Sequence, residues 1–289
     1  MRIVYFANHS NTGSDDTERH IYNSLTYLGH EVSRIDEYSP DLIPEGGYDV
    51  LLFHKGGPYI FEVLPKIRYK KVFWYFDKVW NDRPQWFKKI LPLVDQGFLT
   101  DETWLLANPS KKLSILRQGI GDEGGYTGNK KAGKYKGKIA FTGSSYGERV
   151  TFCHDMKKRY GEDFQVYNDV FNKDLYDLCA TIPIIISPEY PSDDHYWSSR
   201  VYMVIGSGGF LIHPWCQDLR REYKVTELPM YETRDQLYEF IDFFLRNELT
   251  RERFRKDAFA RTHKDYSYLN RCRELTKAIQ LPGNTGTRA

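Results

Sequence analysis

The chain has 289 residues, with 41 Lys or Arg against 39 Asp or Glu, a formal charge of +2. That length supports about two domains, and the near balance of charge excludes a strongly basic nucleic-acid coat or an acidic tail protein. Hydrophobic residues make up 40% and aromatic residues 16% of the chain, which excludes disorder as the global state.

Residues 2–7 read as a buried strand, and a polar turn follows from Asn8 to Ser14. The next helix opens on Asp15-Asp16-Thr17-Glu18, an acidic first turn that suits the positive end of the helix dipole. Its apolar face is Ile21, Leu25 and Leu28, and Gly29 stops it before a second strand at Glu31-Val32. Residues 48–54 and 71–76 are two more buried strands, and 83–94, 97–100 and 113–117 extend the alternation. From Gly119 to Lys138, seven glycines are interleaved with lysines and almost no apolar residues, the composition of a linker. The alternation then restarts, with strands at 139–142, 164–167, 182–187 and 210–213. Helices begin at Gly147 and cover 174–181 and 198–205. Leu237, Phe240, Ile241, Phe244 and Leu245 fall at helical spacing, and helices near 249–263 and 267–280 close the chain. The expected architecture is α/β, with doubly wound domains at 1–122 and 138–264 joined by a linker at 123–137. A closing helix at 265–280 and a disordered tail at 281–289 complete it. Ligands in such folds sit outside the C-terminal ends of the strands, so the interdomain cleft is the expected site.

Two glycine patterns carry little. Gly119-Ile120-Gly121-Asp122-Glu123-Gly124 matches a dinucleotide fingerprint, but glycines continue where a helix should begin, which leaves NAD-dependent oxidation a weak option. The run from Gly128 to Lys134 has phosphate-loop spacing, but Tyr135 stands where a Ser or Thr is needed. Phe141-Thr142-Gly143-Ser144-Ser145 is better placed: a strand breaks at a glycine before a helix containing Arg149. Small residues let backbone N–H groups approach a phosphate, and an arginine can clamp it; an ordinary turn with a surface arginine is the bland account. Gly13, in the corresponding turn after the first strand, could admit a donor in the same way. A second cluster joins Ser187-Pro188-Glu189, Asp193-Asp194 and Ser198-Ser199-Arg200-Val201-Tyr202 to Gly206-Ser207-Gly208-Gly209-Phe210. Here a strand end feeds an acidic loop, then a helix opening on hydroxyl residues and an arginine. Ser198 as a plain N-cap is the simpler reading.

The stretch from Ser199 to Arg271 resembles the C-terminal half of GT-B glycosyltransferases, particularly the group related to spore-maturation glycosyltransferases. Arg200-Val201-Tyr202, Gly206–Ile212, Tyr231-Glu232, the helix at 235–245 and the run from Phe254 through Tyr266-Ser267-Tyr268 carry the likeness. Ile139–Ser144 with Arg149 is similar to that group's phosphate-side entry, and residues 15–32 to its first helix and second strand. The resemblance implies two Rossmann-like domains facing a cleft and transfer from a nucleotide-diphosphate sugar, UDP- or GDP-linked, without a metal or other cofactor. It assigns donor binding to Gly13, Gly143, Ser144, Arg149, Ser187, Glu189, Arg200, Tyr202, Gly208 and Gly209. One departure stands out. Such enzymes often carry a Glu pair with seven residues between its members, the second holding the donor ribose, and those positions here are His195 and Met203. Glu189, Asp193 or Asp194 could make that contact instead. The departure also allows a non-catalytic nucleotide- or nucleic-acid-binding module.

Three residues at strand ends, His9, His54 and Asp77, are the candidates for acceptor-side catalysis, each weighed against a structural role. A carboxylate after a buried aromatic run needs a partner or a cleft, which favours Asp77. Residues 70–89 interleave rings and cations, including Trp74, Trp80, Arg83, Trp86, Lys88 and Lys89. They could form a platform for bases or sugars, although a core strand and an amphipathic basic helix explain them more simply. Phage enzymes that glycosylate hydroxymethylated bases in DNA share the GT-B architecture. Arg246, Arg251, Arg253, Arg255, Lys256 and Arg261 could rim such a site, with a solvated helix face as the alternative. Hydroxymethylated DNA is therefore the first acceptor expected, ahead of a glycan or small molecule.

Cys153, Cys179, Cys216 and Cys272 form no Cys-x-x-Cys pair, which fits reduced thiols. The opening residues are too short for a signal segment and no apolar run approaches a membrane span, so a soluble cytoplasmic protein is expected. Oligomeric state is not legible in the sequence.

Overall fold

The computed structural model describes residues 1–9, 17–54, 59–80, 83–121, 134–188 and 193–280. Gly13, Glu189, most of the 123–137 segment and the 281–289 tail lie outside them. The chain forms two compact units, one comprising Met1–Gly121 and the chain from Tyr268 onward, the other Asp122–Ser267.

The first unit is a six-stranded parallel sheet. Its strands are β1 (Arg2–Ala7), β2 (Glu31–Asp36), β3 (Val50–Phe53), β4 (Lys70–Tyr75), β5 (Gln96–Leu99) and β6 (Leu113–Ile115). They lie in the order β2-β1-β3-β4-β5-β6, with every pair parallel. Helices α1 (Thr17–Tyr27), α2 (Ile60–Val63), α3 (Arg83–Ile90) and α4 (Glu102–Ala107) fall between the strands. All four residues of β3 are buried, as a parallel sheet covered on both faces requires. The side-chain period of two divides the core: Val4, Phe6, Leu51, Phe53, Phe73 and Tyr75 pack on one face, Ile3, Tyr5, Leu52, Val72 and Trp74 on the other.

The second unit is a five-stranded parallel sheet, ordered β11-β10-β9-β7-β8. Its strands are β7 (Ile139–Thr142), β8 (Phe164–Tyr167), β9 (Ile184–Ile186), β10 (Leu211–Pro214) and β11 (Met230–Tyr231). Its helices are α5 (Glu148–Tyr160), α6 (Asn172–Thr181), α7 (Arg200–Gly206), α8 (Gln217–Glu222), α9 (Arg234–Arg246) and α10 (Glu248–Asp265). Ile139, Phe141, Ile184, Ile186 and Ile212 meet Leu237, Ile241 and Phe244 of α9 on one face. Ala140, Ile185 and Leu211 meet Leu175, Leu178, Val201 and Ile205 of α6 and α7 on the other.

The last helix, α11 (Tyr268–Gln280), completes the first unit. Tyr268, Cys272, Leu275 and Ile279 pack with Ile21 and Leu25 of α1 and with Tyr5 and Trp74 of the sheet. Burying Leu275 and Ile279 contributes about 3–6 kcal/mol in all. The backbone N–H of Tyr268 donates to the Ile120 carbonyl at 2.8 Å, and Arg271 Nε to the Gln118 carbonyl at 3.1 Å. Gly121, the second glycine of the fingerprint-like run, has a packing role. A Cβ there would lie 2.1 Å from the ring of His20, which itself stacks on Tyr268.

Candidate functional site

In the second unit, β8 lies on one side of β7 and β9 on the other, so the crevice between the C-terminal ends of β7 and β9 is a topological switch point. Gly143 follows β7 with φ of +135°, a conformation nearly closed to other residues. A Cβ there would come within 2.7 Å of Arg200 Nη2, so the glycine lets the guanidinium rest on the turn. Arg200 Nη1 donates to Ser187 Oγ at 3.2 Å and to Ser198 Oγ at 3.4 Å. Arg149 is buried, donating through Nε to the Pro188 carbonyl at 2.8 Å and through Nη1 to the Ser144 carbonyl at 3.5 Å. Both guanidinium groups pack on the Phe141 ring, at 5.4 Å for Arg200 and 5.9 Å for Arg149. Gly143, Ser144, Arg149, Ser187 and Arg200 thus meet at one strand edge. Two arginines beside an exposed Ser144 make an electropositive edge suited to an anion.

The other donor-side expectations fare differently. Gly208 and Gly209 belong to the turn from the C-terminus of α7 into β10, the opposite end of that helix from Arg200. Gly208 has φ of +85°, a helix-ending conformation that favours glycine. A Cβ on Gly209 would sit 2.8 Å from Val204 Cγ1 and 2.9 Å from Cys179 Sγ. These glycines serve chain reversal and close packing, at the other end of α7 from Arg200. Tyr202 is 1% exposed and donates its hydroxyl to Glu222 Oε2 at 2.6 Å. Met203 packs against the same core. His195, read only as a departure, has a partner that the sequence did not reveal. Its Nδ1 lies 2.8 Å from Asp218 Oδ2, and Asp218 sits 23 residues away at the start of α8.

In the first unit, His9, His54 and Asp77 follow β1, β3 and β4, three adjacent strands, and so share the C-terminal edge. His54 is buried between Tyr5 and Trp74. Its Nδ1 lies 2.9 Å from the Trp74 carbonyl and its Nε2 lies 2.7 Å from the Tyr5 hydroxyl. A carbonyl only accepts, so Nδ1 carries a proton and donates it there, while Nε2 shares a hydrogen with the Tyr5 hydroxyl. Both nitrogens therefore serve the fold. The His9 ring is half-buried edge-on to Tyr5, and Nε2–H donates to the Tyr5 carbonyl at 3.1 Å. Burial holds His9 below its ordinary value of 6.5, partly offset by that hydrogen bond. Asp77 is half-buried and engaged by neighbouring groups.

The aromatic stretch is mainly core. Phe73, Trp74 and Tyr75 are 0–1% exposed, and Trp74 Nε1 donates to the Leu116 carbonyl at 2.9 Å. The basic rim is thinner than the sequence suggests. Arg251 and Arg255 are both 3% exposed, donating to the carbonyls of Phe244 and Gly208 at 2.5 and 3.2 Å. Arg261 pairs with Glu227 at 2.6 Å. Arg246, Arg253 and Lys256 remain exposed. Among the described residues, no group of three or more His, Cys, Asp or Glu could hold a metal ion. No helix among them is long and apolar enough to cross a membrane. The four cysteines are free thiols, three of them buried.

Two doubly wound parallel units, the second with an arginine-lined switch point, have the α/β architecture of the GT-B fold. The profile of the glycosyl transferase-like family matches residues 130–277, 148 of the 289, and the chain belongs to that family. No curated protein matches it. Anabaena Alr3699/HepE, solved in complex with UDP and glucose, is similar over 96% of this chain and 99% of that one, at 8% identity and a TM-score of 0.64. The sucrose-phosphate synthase (tll1590) of Thermosynechococcus elongatus is similar over 97% and 98%, at 10% identity and a TM-score of 0.66. Phage T4 BGT in complex with its UDP-glucose substrate is similar over 97% and 100%, at 11% identity and a TM-score of 0.65. At these identities the likeness is one of fold.

Proposed function

We propose that the chain transfers a sugar from a UDP- or GDP-linked donor, bound by the second unit, to a hydroxyl acceptor. The carrying observation is the Arg200 guanidinium seated on Gly143 at the β7–β9 switch point, with Arg149 beside it. As the sugar's anomeric bond breaks, negative charge grows on the departing diphosphate. Planar guanidinium groups oriented beforehand stabilise that charge more as the bond breaks than before. Gly143 allows a phosphate to approach the backbone closely, and Ser144 and Ser187 supply hydroxyls. We assign this role to side chains of the protein, with no metal. UDP is the donor nucleotide we favour, because two of the similar solved structures contain UDP or UDP-glucose. The acceptor hydroxyl needs a proton acceptor, which we assign to Asp77 at the strand edge of the first unit, with His9 two strands away along that edge as the other candidate.

The acceptor we place first is a hydroxymethylated base in DNA, supported by the exposed Arg246, Arg253 and Lys256. Burial of Arg251 and Arg255 favours a second reading, a glycan or small-molecule hydroxyl. The test is to incubate the protein with UDP- or GDP-sugars and hydroxymethylated DNA and to weigh the DNA. A gain of one sugar per modified base is expected. Nucleotide binding without any mass gain would exclude this acceptor and leave the second reading.

A further inference from the structure

The turn that carries Asp77 is held on both sides by the strand next to it. β5 runs parallel to β4 with Leu99 opposite Tyr75, so Thr100 and Asp101 leave the sheet beside Phe76 and Asp77. The Thr100 backbone N–H donates to the Tyr75 carbonyl at 3.1 Å, and its hydroxyl donates to the Phe76 carbonyl at 2.7 Å. On the far side of Asp77, the Val79 backbone N–H donates to Asp101 Oδ2 at 2.7 Å. The other carboxylate oxygen, Oδ1, accepts the Trp104 backbone N–H at 3.2 Å and so caps α4. Thr100 and Asp101 are only 2% and 1% exposed. Arg117, beyond β6, braces them in turn: Nη1 donates to the Thr100 carbonyl and Nη2 to Glu102 Oε2 at 2.9 Å.

Capping a helix takes one side-chain oxygen, which serine, threonine or asparagine supplies as well as aspartate. A carboxylate is a costly group to bury, so the cap alone does not account for Asp101. Its second oxygen reaches out of its own element to a backbone N–H just past Asp77. The Thr100 hydroxyl takes the carbonyl just before Asp77. Together the two bonds span Phe76 to Val79 and fix the backbone between them. A general base loses much of its effect when it stands about 1 Å out of place. We propose that Thr100 and Asp101 are positioning residues for proton abstraction, holding the β4–α3 turn so that Asp77 meets the acceptor hydroxyl. This rests on the reading of Asp77 as the proton acceptor, through which both residues act.

The test follows UDP release from UDP-glucose by the full chain, both to hydroxymethylated DNA and to water alone, beside calorimetric binding of UDP. Asp101→Ser keeps one oxygen for the α4 cap and leaves none for Val79. Thr100→Val keeps the shape and removes the hydroxyl. Each is expected to lower kcat about ten- to a hundredfold, with KM for UDP-glucose and the affinity for UDP unchanged. The Val79 amide should exchange its hydrogen faster in Asp101→Ser. Thr100→Ser, which retains the hydroxyl, should recover most of the rate. Asp77→Asn is itself expected to be at least about a hundredfold slower. On that background neither substitution should lower kcat further, because the group they position is already gone. Wild-type kcat in either variant overturns the inference, and so does a loss repeated in full on the Asp77→Asn background, the mark of general damage. Asp77→Asn turning over like wild type overturns the reading of Asp77 instead. A wild-type chain that releases UDP neither to DNA nor to water overturns the transfer reading, and this inference with it.

Discussion

Replacing Arg200 with alanine separates binding from folding, because the two demands on its guanidinium differ in size. Within the protein, Nη1 donates to two neutral hydroxyls at 3.2 and 3.4 Å, long contacts worth about 1 kcal/mol together. Packing over Phe141 adds about 0.5–1 kcal/mol. These contacts alone are worth roughly 2 kcal/mol, which corresponds to about 4–8 °C of melting temperature for a unit of this size. Toward a diphosphate the same group can make paired charge-assisted hydrogen bonds, at about 1.5–3 kcal/mol each. Two of them amount to at least about 3 kcal/mol, or roughly a hundredfold in affinity. Arg200→Ala should therefore melt as a folded protein and bind UDP at least about a hundredfold more weakly in a calorimetric titration. Arg200→Lys keeps the charge without the planar fork and should fall between. UDP affinity of Arg200→Ala within about threefold of wild type would refute the reasoning.

Tyr5→Phe removes the hydroxyl that is hydrogen-bonded to His54 Nε2 inside the first unit; urea unfolding should show a loss of about 1–3 kcal/mol, the cost of disrupting a buried hydrogen bond. The folded-state value of His9 is depressed, so the unfolded chain binds that proton more readily. Its contribution to stability is therefore full above about pH 6.5 and is lost as pH falls below it. Denaturation at pH 7.5 and 5 should show this acid limb flattened in His9→Gln, with His30, lowered by burial and by the N-terminal ammonium, accounting for part of what remains. Arg255→Met breaks the ion pair of a buried arginine with the partly exposed Glu252 and leaves the Gly208 carbonyl without its cation. A stability loss of about 3 kcal/mol is expected, whereas Arg253→Ala with Lys256→Ala should leave melting unchanged and lower retention on DNA.

Much of the fold was legible because parallel strands buried on both faces are short apolar runs. Residues 139–142 were bounded correctly for that reason, 164–167 were bounded correctly although they form a half-exposed edge strand, and Leu237, Ile241 and Phe244 announced α9 through their spacing. Arg149 and Arg200 were singled out at two separate strand-to-helix turns, and those turns lie at one strand edge. What escaped were pairings made across long separations. Nothing near Tyr268 says that its helix lies on α1, some 250 residues back, or that its hydroxyl meets Thr17. Local spacing cannot report that His195 meets Asp218, or that Gly121 makes room for His20. The arginines of α10 misled for a related reason. A basic run resembles a solvated or nucleic-acid-facing surface until Arg251 and Arg255 are found against backbone carbonyls in the interior. The resemblance gave Gly208 and Gly209 to the donor; in the structure they make a helix-ending turn and close packing against Val204 and Cys179.

The central claim is that the second unit holds the donor's diphosphate at the β7–β9 switch point, and a crystal structure with UDP bound tests it most directly. The account predicts phosphate oxygens within hydrogen-bonding distance of Arg200 and of the Gly143–Ser144 backbone, with Arg149 beside them. A diphosphate bound elsewhere, such as beyond the strand ends that carry His9, His54 and Asp77, would contradict it.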